Sequence, residues 1–265
     1  MPDRVKDKIA VVFGGGQTPG ETIGNGRATA ILLADEGATV VVVDRDLQSA
    51  ADTVDLILKR GGRAEALSAD IVHEDQVRAV IATVVERHHR IDILHNNIGA
   101  SLALGDAPAT ELESDAFDRL VQVNLRGMWY ACKYAVPVMR KQEAGSIVNI
   151  SSMAVLSPYP YLGYKTTKAA VIALTENLAS ANARFGVRAN VILPGLMNTP
   201  MAIESRVAAG TPREEVIAGR DRQVPLGRKM GTGWDTAYAA LFLHSDEAKF
   251  ITGVSLPVDG GASVS

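Results

Sequence analysis

Tyr164 and Lys168 stand four residues apart at the head of the run YKTTKAAVIALTENLA. On a helix that spacing puts both side chains on one face. A free phenol titrates near ~10, too high for a base at neutral pH. A lysine ammonium beside it favours the phenolate, and making the phenol tenfold more acidic takes ~1.4 kcal/mol. The pair therefore reads as a base that takes the proton of a hydroxyl group. Ser152, twelve residues upstream, closes the strand-like run IVNISS. A hydroxyl at the C-terminal end of such a strand lines the crevice of a doubly wound sheet, where it can hold a substrate oxygen and the charge developing on it. Ser151 is the alternative for that place. Asn124, in VQVNL, falls inside a long helical stretch, where asparagine has poor propensity; it can hold a water that passes protons from Lys168 to solvent. Tyr161 and Lys165 repeat the same spacing, so spacing alone does not choose between the two pairs.

A second constellation lies at the other end of the chain. The apolar run 9–13 opens into GGGQTPGETIGNGRATA. Glycines there permit a tight turn and a close approach of backbone N–H groups to a pyrophosphate at the following helix. Asp44 ends the next β-branched run, 18 residues after Gly26, where a dinucleotide-binding fold carries its acid. A carboxylate there accepts hydrogen bonds from the ribose hydroxyls and repels a 2′-phosphate. NAD is therefore expected over NADP, with the adjacent Arg45 pulling the other way. Gly15 to Thr22 nearly spells a P-loop, but Glu21 stands where that loop needs lysine, which excludes nucleoside triphosphate hydrolysis on charge.

The elements that must position these residues alternate. Strand-like runs at 9–13, 39–43, 64–69 and 91–94 are separated by helical patterns at 27–36, 48–60 and 73–89, the first with its apolar members on one face. The second half reads as helix 114–141, strand 145–150, helix 164–185, strand 188–192, helix 235–244 and strand 254–258. Continuous apolar strands between helices predict a parallel sheet covered on both faces. Residues 197–233 differ, being rich in glycine and proline. Two short helices are expected there, one opened by a capping box at Thr211-Pro212-Arg213-Glu214. Such an excursion is a candidate lid over a substrate. No linker or repeat interrupts the chain, so all 265 residues are read as one domain.

Composition narrows the function classes. Apolar residues make up 47% and charged residues 22%, and the net charge is −3. That supplies a core and favours neither a nucleic-acid backbone nor a membrane surface as partner. The single cysteine, Cys132, cannot form an internal disulfide, and the N-terminus has no apolar signal region; a reducing, cytoplasmic setting is expected. His73, His88, His89, His95 and His244 show no ligand spacing, so no metal site is expected. No Gly-x-Ser-x-Gly elbow supports a serine hydrolase.

From about residue 8 to 261 the chain resembles the short-chain dehydrogenase/reductases. YKTTKAAVIALTENLA is similar to that family's active-site helix, and its register puts the catalytic pair at Tyr164 and Lys168. NNIG at 96–99, Asp70-Ile71, Asn124 in VQVNL, PGLMNTPM at 194–201 and the tail ITGVSLPVDGG resemble further family motifs. The resemblance implies a Rossmann-type fold and a nicotinamide dinucleotide. It places the cofactor at Gly14, Gly16, Gln17, Gly24, Asn25, Gly26, Asp44, Arg45, Asp70, Ile71, Asn97, Ile98, Gly99, Tyr164, Lys168, Pro194, Gly195, Leu196 and Thr199, with Thr199 on the carboxamide. It also implies a homotetramer. The glycine loop departs from the family pattern: aligning Gly14 as the first glycine makes 17–22 an insertion, whereas Gly20, Gly24 and Gly26 restore the family spacing. Ile98 stands in place of the usual alanine.

The expected activity is NAD-linked interconversion of a secondary alcohol and a ketone. The alternatives are an NADPH-dependent reductase of the 3-oxoacyl carrier-protein type, and a non-catalytic dinucleotide sensor or scaffold. Ser101, Leu102, Ala103, Leu156, Tyr159, Tyr161, Leu196, Met201 and Ile203 are the expected pocket positions. Mainly apolar with two phenols, they fit a moderately hydrophobic, cyclic or aromatic alcohol. Arg206, Arg213, Arg220 and Arg222 read first as a solvated face of the lid and second as contacts for an anionic group.

Overall fold

The computed structural model describes residues 3–265. Seven parallel strands form one sheet in the order β3-β2-β1-β4-β5-β6-β7. They are β1 Ile9–Phe13, β2 Thr39–Asp44, β3 Arg63–Ser68, β4 Ile93–Asn96, β5 Gly145–Ile150, β6 Val187–Pro194 and β7 Ser255–Val258. The inner strands are buried along nearly their whole length because helices cover both faces. One face carries α1 Asn25–Asp35, α2 Leu47–Lys59 and α9 Gly233–His244. The other carries α3 Glu74–His88, α5 Gly127–Lys141 and α6 Leu162–Asn182. The strand order reverses between β1 and β4, where Phe13 pairs with both Val43 and Asn96. Ligands of open α/β sheets bind outside the strand ends at such a switch point.

Most boundaries fall within two residues of expectation, and the departures have local causes. The predicted helix 114–141 is split into α4 Ser114–Val121, a π turn Gln122–Arg126 and α5. Strand β4 ends at Asn96 rather than 94, and β6 runs on to Pro194. Helix α6 begins at Leu162, two residues before Tyr164. Helix α1 is buried around nearly its whole girth rather than on one face, because α9 and α2 pack against it within the same layer.

The lid region folds as α7 Pro200–Ala208 and α8 Arg213–Asp221. The expected capping box at 211–214 does not form. Thr211 donates its N–H to Arg206 O (3.2 Å), tying it to the end of α7, and extended Pro212 becomes the cap residue of α8 without a side-chain bond. A capping box occurs instead at α9, where Asp235 Oδ2 accepts from Thr232 N (2.7 Å) and Thr232 Oγ1 (2.8 Å). Ile203 belongs inside this subdomain. It is 1% exposed and packs with Val216, Val224 and Met230, so it does not line a pocket.

Candidate active site

The end of β1 and the start of α1 meet almost atom to atom. A Cβ on Gly26 would lie 2.0 Å from Gly14 O and 2.4 Å from the Asn97 side-chain nitrogen. Gly14 itself has φ +71°, a region where only glycine is unstrained. Gly14 and Gly26 therefore frame the loop; Gly15 and Gly16 are buried beneath it, and residues 18–21 bulge outward. Gln17 folds back across the bulge, its side-chain oxygen accepting from Gly24 N (2.9 Å) and its nitrogen donating to Thr22 O (3.3 Å). Helix α1 opens without a side-chain cap and without an acid in its first turn. Its first N–H groups and the positive end of its dipole suit a pyrophosphate. The buried side-chain oxygen of Asn25 has no partner within the protein.

Asp44 stands at the end of β2, beside this turn. Its carboxylate accepts from Gly16 N (3.1 Å) and Asp46 N (3.2 Å). Arg45 is exposed. Asp70 makes a local turn, accepting from Val72 N (3.1 Å), while Ile71 is buried against Gly127 at the head of α5. The uncapped helix start, the glycine turn and the carboxylate at the second strand form a donor and acceptor set that fits a dinucleotide.

Past β4 the chain turns through Asn97, Ile98, Gly99 and Ala100. Asn97 Nδ2 donates to Gly14 O (3.2 Å). Asn124, fully buried in the π turn, clasps Ala100: its Oδ1 accepts from Ala100 N (2.8 Å), and its Nδ2 donates to Ala100 O (2.9 Å) and Thr167 Oγ1 (3.2 Å). Lys168 reaches the same turn, donating to Ile98 O (3.0 Å) and Ile150 O (2.8 Å). A Cβ on Gly99 would lie 2.6 Å from Lys168 Nζ, so glycine is what lets the lysine enter. Burial pushes the Lys168 amine down to about 7.

Tyr164 lies one turn before Lys168, with the ammonium 5.8 Å from its ring centre. Burial pushes its phenol up to about 12, and the Ser152 hydroxyl facing it works in the opposite direction. The Ser152 side chain also accepts from Ala154 N (3.2 Å). Ser151 is separated from this group: it is buried and donates to Lys168 O (2.7 Å). The competing lysine, Lys165, turns away and donates to Ser157 O (2.6 Å). Ser152, Tyr164 and Lys168 thus converge, and Tyr161 with Lys165 does not.

Asp106 is a site residue that sequence reasoning missed. It is buried and caps the helix carrying Tyr164, accepting from Gly163 N (2.9 Å) and Tyr164 N (3.0 Å). It also accepts from Ser101 Oγ (2.8 Å), which lies 3.4 Å from the Tyr159 hydroxyl. Tyr159 packs beside Tyr164 at 5.7 Å between ring centres, and Tyr161 stacks edge-on against Tyr159 at 5.6 Å. Leu102, Leu156 and Met201 are exposed. At the end of β6, Gly195 passes so close to Asp259 that a Cβ would lie 2.5 Å from its Cα. Leu196 joins the lid core, and Thr199 is buried as the cap residue of α7. The neighbouring Asn198 side-chain oxygen is buried without a partner, a second feature not anticipated.

Known proteins share this architecture. A family described as enoyl-(acyl carrier protein) reductase matches residues 21–263. The chain is 36% identical to 2,5-dichloro-2,5-cyclohexadiene-1,4-diol dehydrogenase LinX of Sphingobium indicum, over all of this chain and 99% of that one. It is 32% identical to 3-oxoacyl-[acyl-carrier-protein] reductase FabG of Thermotoga maritima, over 97% of this chain and 98% of that one. A crystal structure of a short-chain dehydrogenase/reductase from Burkholderia xenovorans superposes with a TM-score of 0.93 at 38% identity, covering 99% of each chain. With fold, switch-point cleft and relatives in accord, the chain belongs to the short-chain dehydrogenase/reductase family of oxidoreductases.

Proposed function

We propose that the protein interconverts a secondary alcohol and a ketone with NAD, using Tyr164 as general acid and base. The observation that carries this reading is the meeting of Ser152, Tyr164 and Lys168 beside the switch point. When bound, the nicotinamide would supply the acceptor for the hydride of the carbinol carbon. Tyr164 takes the hydroxyl proton, and Ser152 orients the same oxygen. Lys168, when protonated, favours the phenolate. Its two carbonyl partners fix the ammonium in place. Asn124 holds the turn that supplies one of those carbonyls and serves the proton path from Lys168 to solvent.

Asp44 supports NAD over NADP, because a 2′-phosphate would meet its carboxylate beside the Gly16 amide. The remaining cofactor contacts are assigned to Gly14, Gly24, Asn25, Gly26, Asp70, Asn97, Ile98, Pro194, Gly195, Leu196 and Thr199. Helices α7 and α8 act as the lid. On family grounds the chain works as a homotetramer, and its single cysteine fits a reducing, cytoplasmic setting.

Calorimetric titration with each cofactor is the first test. NAD should bind at least ~10-fold more tightly than NADP, a difference of ~1.4 kcal/mol. Preference for NADP would favour the reductase reading, which the similarity to the Thermotoga enzyme keeps in view. Binding of neither would overturn the enzyme assignment.

A further inference from the structure

Residues 17–22, which lengthen the glycine turn, form a closed lobe. At its base the Gln17 side chain bridges Gly24 N (2.9 Å) and Thr22 O (3.3 Å). The Gln17 backbone N and O both meet Ser49 Oγ on α2 (2.8 and 3.0 Å). The tip of the lobe, Gly20 and Glu21, meets the lid. A Cβ on Gly20 would lie 2.8 Å from Pro200 Cβ and 2.8 Å from Glu204 Oε1, both on α7. Glu21 stands 3.6 Å from Arg213 on α8, and Arg213 makes a forked pair with Glu204 (3.0 and 2.7 Å). One guanidinium therefore ties the lobe, α7 and α8 together. The far end of the lid closes on the same turn, with Gly233 at the head of α9 against Ile23 O and Gly24 O.

Strand order places this contact across the crevice. The lobe leaves β1 and the lid leaves β6, and the ends of β4 and β5 lie between them. Three strand spacings separate β1 from β6 by about 14 Å, too far for the strand ends themselves to meet. The lobe and the first turns of α7 make up that distance. Their contact therefore runs from the helix start suited to a pyrophosphate to the lid that follows the 195–199 segment, and a dinucleotide lying along the crevice passes beneath it. The two limbs of the contact differ in strength. The Arg213–Glu204 fork is half-buried and geometrically fixed. The Glu21 limb is exposed and screened by water, so the span can part at the lobe while the lid stays whole.

We propose that the 17–22 lobe is a latch over the cofactor crevice. Gly20 and Glu21 hold the lid shut through Pro200, Glu204 and Arg213, and the latch opens for the dinucleotide to enter or leave. Glu21, Glu204 and Arg213 are thereby positioning residues, which set the rate of cofactor exchange through the lid. The proposal rests on the dinucleotide reading above for what lies beneath the latch.

NADH, followed by its own fluorescence in stopped flow, reads both rate constants. A latch that opens more easily speeds entry and exit alike. Gly20→Ala, which wedges the lobe off Pro200, and Arg213→Gln should each raise kon and koff about fivefold, with Kd moving less than about threefold. Glu21→Gln removes only the exposed limb and should raise both about twofold. Wild-type rate constants in Gly20→Ala and Arg213→Gln would overturn the latch. So would a weaker Kd with kon unchanged, which would make these residues cofactor contacts. Trypsin cleavage after Arg206 in the cofactor-free protein, read by mass spectrometry, tests the latch separately. The wild-type lid should resist, and the Gly20→Ala lid should be cut several-fold faster. Gly20-dependent protection without NADH binding upholds the latch and defeats the dinucleotide reading. Protection that does not depend on Gly20 defeats the latch whatever NADH does.

Discussion

The Asp106 carboxylate accepts the backbone N–H of Tyr164 at 3.0 Å across 58 residues of chain, and so caps the helix that carries Tyr164 from outside. Its other oxygen takes the Gly163 amide, so both carboxylate oxygens are committed to the first turn of α6. A negative charge at that end also complements the positive pole of the helix dipole. Asp106→Ala should cost about 1–3 kcal/mol in urea unfolding. It should lower kcat several-fold while cofactor affinity holds, because the phenol loses its fixed position. Asp106→Asn keeps one acceptor and should recover part of both losses. Unaltered stability and kcat in the alanine variant would contradict the capping role.

Tyr164→Phe removes only the phenolic oxygen. General acid–base groups contribute ~10²–10⁴-fold, and turnover should fall by that factor or more. NAD affinity, read by calorimetry, should change little. Wild-type-like turnover would sink the assignment of the base.

Asp44→Ala should raise NADP affinity and lower NAD affinity. The Gly16 and Asp46 amides lose their acceptor and become available to a phosphate. An unchanged NADP constant would show that the carboxylate does not exclude the 2′-phosphate.

The buried lysine and tyrosine make opposite contributions to pH-dependent stability. Lys168 is lowered from 10.5 to about 7, so between those values the unfolded chain binds more protons than the folded one. Stability from this group therefore rises with pH across that window and is fully present above it. Tyr164 is raised from 10.0 to about 12, so its contribution is lost as pH climbs from 10 toward 12. Urea unfolding of the cofactor-free protein should show Lys168→Met flattening the first slope and Tyr164→Phe the second. Slopes identical to wild type in both variants would refute both assignments.

What the sequence made legible was what acts locally. The alternating runs specify a parallel sheet because mainly apolar strands are separated by helical patterns, and Asp44 is visible because it ends such a run. The spacing of Tyr164 and Lys168 is a property of one helix. Spacing alone did not separate that pair from Tyr161 and Lys165; the resemblance did, and the cleft then shows Lys165 engaged with Ser157. Asp106 was hidden because its partners lie on a distant helix. Ile203 was misplaced because an apolar face can pack inside a lid as well as over a substrate. The break at Asn124 leaves the helical pattern intact, inserting only one wider turn.

The bulge at 17–22 leans on the lid. A Cβ on Gly20 would lie 2.8 Å from Pro200 Cβ and from a Glu204 side-chain oxygen, and Glu21 faces the same Arg213 that grips Glu204. Two segments nearly 180 residues apart in the chain are thereby mated. Over evolutionary time, replacements at 20 and 21 should track those at 200, 204 and 213. A chimera that borrows its lid from a relative with a shorter glycine turn would inherit a surface cut for a different neighbour, so the transplantable unit is the two segments together.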